Sequence, residues 1–115
     1  MPISPASGPL TPQAFQILLS LVDGAELHGY GIIQDVAART EGEVSLTAST
    51  LYAAIKRMVD TGFIVEVDAT GESGGAPRRC YRITRSGRQV AQQEAERLAR
   101  TVAMARDKRL LPKKA

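Results

Sequence analysis

Residues 47–68 read Thr-Ala-Ser-Thr-Leu-Tyr-Ala-Ala-Ile-Lys-Arg-Met-Val-Asp-Thr-Gly-Phe-Ile-Val-Glu-Val-Asp: a polar-fronted amphipathic helix, a glycine stop and a short β-branched strand. Leu51, Ile55, Met58 and Val59 stand at i, i+4, i+7 and i+8, so one stripe of this helix faces a core. The Thr47 hydroxyl suits the cap of the helix. The opposite face carries Ser49, Tyr52, Ala53 and Lys56, with Arg57 at its margin. Small, hydroxylated and cationic side chains on the uncovered face of a short helix suit insertion into a DNA major groove. Close backbone approach and phosphate contacts are both needed there.

Upstream, Thr11 followed by Pro12 predicts a helix start, and Phe15, Leu18, Leu19 and Val22 give an apolar stripe that Asp23-Gly24 ends. A second helix is predicted from about His28-Gly29-Tyr30-Gly31 to Thr40, with Ile32, Ile33, Val36 and Ala37 on its apolar side. The glycines flanking Tyr30 mark a tight turn or a close approach of neighbouring backbones. His28 reads as a residue hydrogen-bonded to backbone at the start of that helix. The link Glu41 to Leu46 then joins two helices in a helix-turn-helix, with a connection longer than the tightest three-residue turn.

Downstream, Phe63 to Asp68 reads as a strand and Arg79 to Thr84 as its partner, with Tyr81 and Ile83 facing inward and Cys80 and Arg82 outward. The glycine-rich stretch between them is too long for a two-residue hairpin and reads as a flexible wing, 69–79. Arg78 and Arg79 stand at its base, within reach of a phosphate or a minor groove. Thr84 or Ser86 caps a last helix over 85–111, closed by Pro112. About 27 residues at ~1.5 Å each make a rod of roughly 40 Å, longer than a domain of this size covers alone. Its positions Ala91, Ala95, Leu98, Val102 and Ala105 form a heptad seam of mostly small residues. That seam can pack on the first helix or on its copy in a second chain; the length of the rod favours the copy. The expected fold class is mostly α with a small β-hairpin. A disordered tail (1–10) precedes a winged helix-turn-helix domain (11–84), the long dimerisation helix (85–111) and a basic tail (112–115).

With 115 residues the chain is one domain plus an appended element, burying roughly two-thirds of its unfolded surface. The aromatic residues are Phe15, Tyr30, Tyr52, Phe63 and Tyr81, so aliphatic side chains must build the core. One cysteine excludes an internal disulfide, and the Pro/Ser-rich start lacks the pattern of a secretory leader. No run approaches the ~20 apolar residues of a membrane span, so a cytoplasmic protein is expected. The net charge of +3 conceals a division: residues 1–77 hold three basic and nine acidic side chains, net −6, and residues 78–115 hold twelve basic and three acidic, net +9. A polyanion approached by one side of the molecule favours this division; a basic terminal helix kept soluble by its charge is the plainer explanation. The acidic first part requires any DNA footprint to be narrow.

Catalysis finds no support. His28 and Cys80 are the only histidine and thiol, leaving no set for a nucleophilic centre or a metal site. No enzyme, metal or cofactor is expected. Cys80 is expected to be inert rather than a redox sensor, and Gly71 to Gly75 lacks the Gly-Lys-Ser/Thr continuation of a phosphate loop. Tyr52, close to Ser49 and Thr50, is placed to donate to a phosphate while its ring packs on the domain. Tyr30 fits the core or a phosphate equally well. Arg57 has Asp60 and Glu66 as alternative ion-pair partners.

In joint order, His28-Gly29-Tyr30-Gly31, Thr50-Leu51-Tyr52 with Lys56-Arg57, Gly62-Phe63-Ile64, and Tyr81-Arg82-Ile83-Thr84 with Gly87 resemble the PadR family of bacterial transcriptional regulators, over Leu10 to about Leu111. The resemblance implies a winged helix-turn-helix repressor, homodimeric through its last helix, that binds a palindromic operator in double-stranded DNA. It makes Thr47, Ser49, Thr50, Tyr52 and Lys56 of the recognition helix region (47–60), together with Tyr30 and with Arg78 and Arg79 of the wing, candidate DNA contacts. The chain looks like the short branch of the family, with a single C-terminal helix. In some short relatives an aromatic residue, often tryptophan, lines a drug pocket at the dimer interface. This chain has no tryptophan and no aromatic residue in its last helix, which leaves a small-molecule effector of unidentified chemistry. A winged-helix module that binds proteins and not specific DNA is the alternative.

Overall fold

All four helices among the described residues begin on the same device, a side chain accepting a hydrogen bond from the amide three residues on. Thr11 caps α1 (Pro12–Leu21), His28 caps α2 (Gly29–Arg39), Thr47 caps α3 (Ala48–Thr61) and Thr84 caps α4 (Arg85–Asp107). Each cap satisfies one of the amides that a helix start leaves without a partner. The computed structural model describes residues 10–69 and 78–112. Residues 1–9 of the expected tail, the wing tip and the last three residues of the basic tail lie outside the described residues, while Leu10, expected in the disordered tail, is half-buried against the core.

The strands are β1 (Leu27–His28), β2 (Ile64–Ala69) and β3 (Arg78–Ile83), in the antiparallel order β1-β3-β2. The expected hairpin is thus present and gains a third strand. In the ladder Ile64 faces Ile83, Glu66 faces Tyr81 and Asp68 faces Arg79, while Leu27 and His28 face Tyr81 and Cys80 from the other side. Tyr81 and Ile83 are buried as expected. Cys80 corrects the sequence reading: it is only 5% exposed. As the middle strand, β3 sets its small side chain between Val67 and His28, so both neighbouring strands help to cover it.

The core joins Ile17, Leu18 and Leu21 of α1, Ile32 and Val36 of α2, Leu51 of α3 and Ile64 of β2, all fully buried. The buried face of α1 therefore runs through Ile17 and Leu21, while Phe15, Leu19 and Val22 of the expected stripe are half-buried. Several elements pack on α1 and draw a wider face inward than a single stripe. On α3, Ala54 joins the buried stripe and Val59 leaves it. At its other end α2 is tied to α1 by Arg39, which donates to Asp35 (2.8 Å), to the Gln16 side chain and carbonyl (3.0 and 2.9 Å) and to Ser20 (2.8 Å).

One backbone joint connects α3, the sheet and α4. Gly62 ends α3 in the left-handed region (φ 85°), which glycine adopts without strain. The Thr84 amide donates to the Phe63 carbonyl (3.0 Å), and the Thr84 hydroxyl donates to the Gly62 carbonyl (2.6 Å). Gly87 lies so close to Phe63 that any side chain there would run into that carbonyl. Beyond the joint, Arg88 donates to the Val22 carbonyl and Ala91 packs in the core. Glu94 is buried and paired with Arg97, which with its hydrogen bond holds the Glu94 carboxyl below the usual range. Helix α4 ends at Asp107, short of the expected Leu111, because Arg109 takes a left-handed conformation (φ 65°) that turns the chain.

Candidate nucleic-acid interface

The outward face of α3 is polar and open: Ser49, Thr50, Tyr52, Ala53, Lys56 and Arg57 are all exposed. Thr47 is occupied as the cap, accepting from the Thr50 amide (3.1 Å) while donating to the Thr50 hydroxyl (3.0 Å). Tyr52 reaches across to the start of α2, where a side chain at Gly29 would collide with its phenol oxygen. This accounts for one of the paired glycines: the end of the Tyr52 side chain occupies the space a Cβ would take. Tyr30, the next residue, is 64% exposed, so it points outward and not into the core. The His28 Nδ1 accepts from the Gly31 amide (2.9 Å), confirming its backbone hydrogen bond at the start of the helix.

Two clefts cover this side of the molecule. One, of about 420 Å³, is lined by His28, Gly29, Tyr30, Tyr52 and Arg79. The other, of about 340 Å³, lies between α3 and the sheet and includes Tyr52, Ile55, Lys56, Val59, Asp60, Glu66, Arg79 and Tyr81 in its lining. Tyr52 and Arg79 belong to both, so the start of α2, the outward face of α3 and the β2–β3 ladder form one continuous surface. Val59 escapes the core because it lines the second cleft. Tyr81 lines the second cleft from within the core, and burial and then Glu66 push its phenol up.

Tyr30, Tyr52, Lys56 and Arg79 are thus brought together, with Ser49 and Thr50 at the front of α3. Arg78 opens β3, and its side chain lies outside the described residues. The cations are paired: Lys56 lies 3.6 Å from Asp60 and Arg79 lies 3.6 Å from Glu66. This corrects the pairing expected for Arg57, because Lys56 holds Asp60 and Arg79 holds Glu66. Sequence reasoning did not place His28, Asp60, Glu66 or Tyr81 at this surface. The i, i+4 spacing of Lys56 and Asp60 was a usable signal; the Glu66–Arg79 pair depends on strand register and has none.

On α4 the expected seam divides. Ala91 is buried in its own chain, which removes it from a face open to another chain, and Ala105 is half-buried. Ala95 is exposed, and Leu98 and Val102 are each 37% exposed. Among the described residues no helix is long and apolar enough to cross a membrane.

The sequence matches the profile of the Transcriptional regulator PadR-like family over residues 18–93. An uncharacterized protein of Lysinibacillus sphaericus is 32% identical over 72 residues, 63% of this chain and 65% of that protein, so the match spans just under two-thirds of the relative. Among solved structures, a transcriptional regulator from Clostridium thermocellum is 26% identical with a TM-score of 0.69, covering 82% of this chain and 89% of that one. Bacillus subtilis PadR in complex with operator DNA is 26% identical with a TM-score of 0.63, over 72% of this chain and 46% of that one. The circadian clock associated protein Pex from Anabaena is 29% identical with a TM-score of 0.62, over 82% and 79%.

Proposed function

The chain belongs to the PadR-like family of transcriptional regulators, and on that premise we propose that it binds a palindromic operator as a homodimer and represses transcription. The observation that carries this reading is the single surface on which Tyr30, Tyr52, Lys56 and Arg79 meet around the two clefts. Helix α3 enters the major groove, its first amides and the Thr50 and Tyr52 hydroxyls directed at phosphate, where a helix start favours an anion. Ser49 and Lys56 reach base edges or further phosphates, Tyr30 adds a phosphate contact from α2, and the wing contributes Arg79 and its neighbour Arg78. The operator complex of B. subtilis PadR supports the same use of the fold.

Dimerisation rests on the outer part of α4, where Leu98 and Val102 stand one turn apart with Ala95 and Ala105 beside them. A second copy covers these side chains and sets two recognition helices roughly 34–36 Å apart. Release by a small-molecule effector is the part of this reading carried by resemblance alone, and α4 offers no aromatic wall on which a flat molecule could stack.

Selection from a randomised duplex pool tests the proposal. Recovery of a palindrome with half-sites about one turn apart is expected. Recovery without sequence preference, from a folded dimer, would overturn it in favour of a protein-binding module. Arg79→Ala is expected to flatten the dependence of affinity on salt by roughly 0.9 log units, as one phosphate contact is lost.

A further inference from the structure

The surface proposed to meet DNA carries its own anions. Lys56 is held by Asp60 and Arg79 by Glu66, with both carboxylates in the lining of the cleft between α3 and the sheet. Arg79 also has Asp68 directly opposite it in the ladder. Helix stability does not account for Asp60. It lies in the last turn of α3, where the helix dipole disfavours an anion and no basic residue is present. Its pair with Lys56 has the cation first, the weaker order at i, i+4. Glu66 stands on a strand, where glutamate is a poor choice. Both carboxylates cost the fold a little and sit where a phosphate would have to come.

Resting on the DNA-binding reading above, we propose that Asp60 and Glu66 are specificity-determining residues that hold Lys56 and Arg79 away from non-specific DNA. On a random duplex, phosphate contacts are transient, and a tethered carboxylate 3.6 Å away has the higher effective concentration. On the operator, docking of α3 fixes phosphates beside the two cations, and each exchanges its carboxylate for a phosphate. These exposed ion pairs are weak enough to be exchanged in this way. Non-specific binding, which is almost entirely phosphate attraction, therefore bears the larger part of the effect, and the operator complex bears only the loss of two weak exposed pairs.

The test compares wild type, the Asp60→Asn/Glu66→Gln double variant and Glu26→Gln on the selected operator and on a random duplex across a salt series. Glu26 pairs with Arg82 at 3.4 Å, and Arg82 points to the face of β3 opposite Arg79, so this variant reads the effect of one unit of net charge, half the change in the double variant. Asp60→Asn/Glu66→Gln is expected to bind the random duplex about five- to tenfold more tightly. Its salt slope there steepens by roughly 0.9 for each cation released, whereas on the operator the slope is unchanged and the gain in affinity is clearly smaller. An equal gain on both duplexes, a gain in Glu26→Gln of half that of the double variant or more on a logarithmic scale, or loss of operator binding by the double variant alone would each overturn the proposal while leaving DNA binding by the wild type intact. Wild type binding neither duplex would overturn the function itself, and this inference with it.

Discussion

Helices α3 and α4 both open on a threonine cap, yet α3 buries Leu51, Ala54, Ile55 and Met58 in its own domain whereas α4 buries only Gly87, Ala91 and Glu94. Past Glu94, α4 still carries Leu98, Val102 and Met104, and all three are exposed. The contrast shows what an outward face is for. Helix α3 satisfies its apolar side at home and turns hydroxyls and cations outward, a surface suited to a hydrated polyanion. Helix α4 turns apolar side chains outward, a surface suited to an apolar partner such as the second copy of the proposed dimer.

The contrast breaks most readily on its buried side. Leu51→Ala is expected to lower stability by about 2–5 kcal/mol, read from urea unfolding, because Leu51 is fully buried. Leu98→Asp combined with Val102→Asp is expected to leave the circular dichroism spectrum intact while weakening self-association by about 100-fold, read by sedimentation. A two-chain species that survives this change would remove α4 from the interface. Next come the caps: Thr47→Ala should cost about 1 kcal/mol, and Thr84→Ala roughly twice that, because Thr84 also donates to the Gly62 carbonyl. Equal losses would mean that the joint contributes nothing beyond capping.

The smallest effect is one of pH. Glu94 has its carboxyl held down by the Arg97 hydrogen bond, so its folded pKa lies below the unfolded value. The corresponding stability is fully present above the ordinary glutamate range and is lost as pH falls through the lowered folded value. Urea midpoints measured between pH 7 and pH 3 should therefore fall less steeply in Glu94→Gln than in wild type.

The helices were legible because their signals are local. Thr11, Thr47 and His28 act where the sequence places them, and between Thr84 and Ser86 the structure selects Thr84. Features that depend on distant partners were not legible. The run Ile17-Leu18-Leu19 supports two overlapping helical stripes, and only the elements packed around α1 select Ile17 and Leu18. Strand β1 has two residues, too few for any period, and its pairing with β3 helps to bury Cys80. At the candidate site, the residue types on the outward face of α3 announced a polyanion surface, whereas the approach of Arg79 to Glu66 followed from register.

The joint at Gly62–Phe63 and Thr84–Gly87 has a mechanical consequence. It is the fulcrum of a lever whose arm is α4: over 23 residues the arm measures about 34 Å, so a tilt of about 5° at the fulcrum moves the tip by about 3 Å. That displacement is close to the 3.4 Å rise of one base pair. In the proposed dimer, slack at this point would blur adjacent operator spacings, and a backbone joint too tight for one methyl group acts as a spacing gauge.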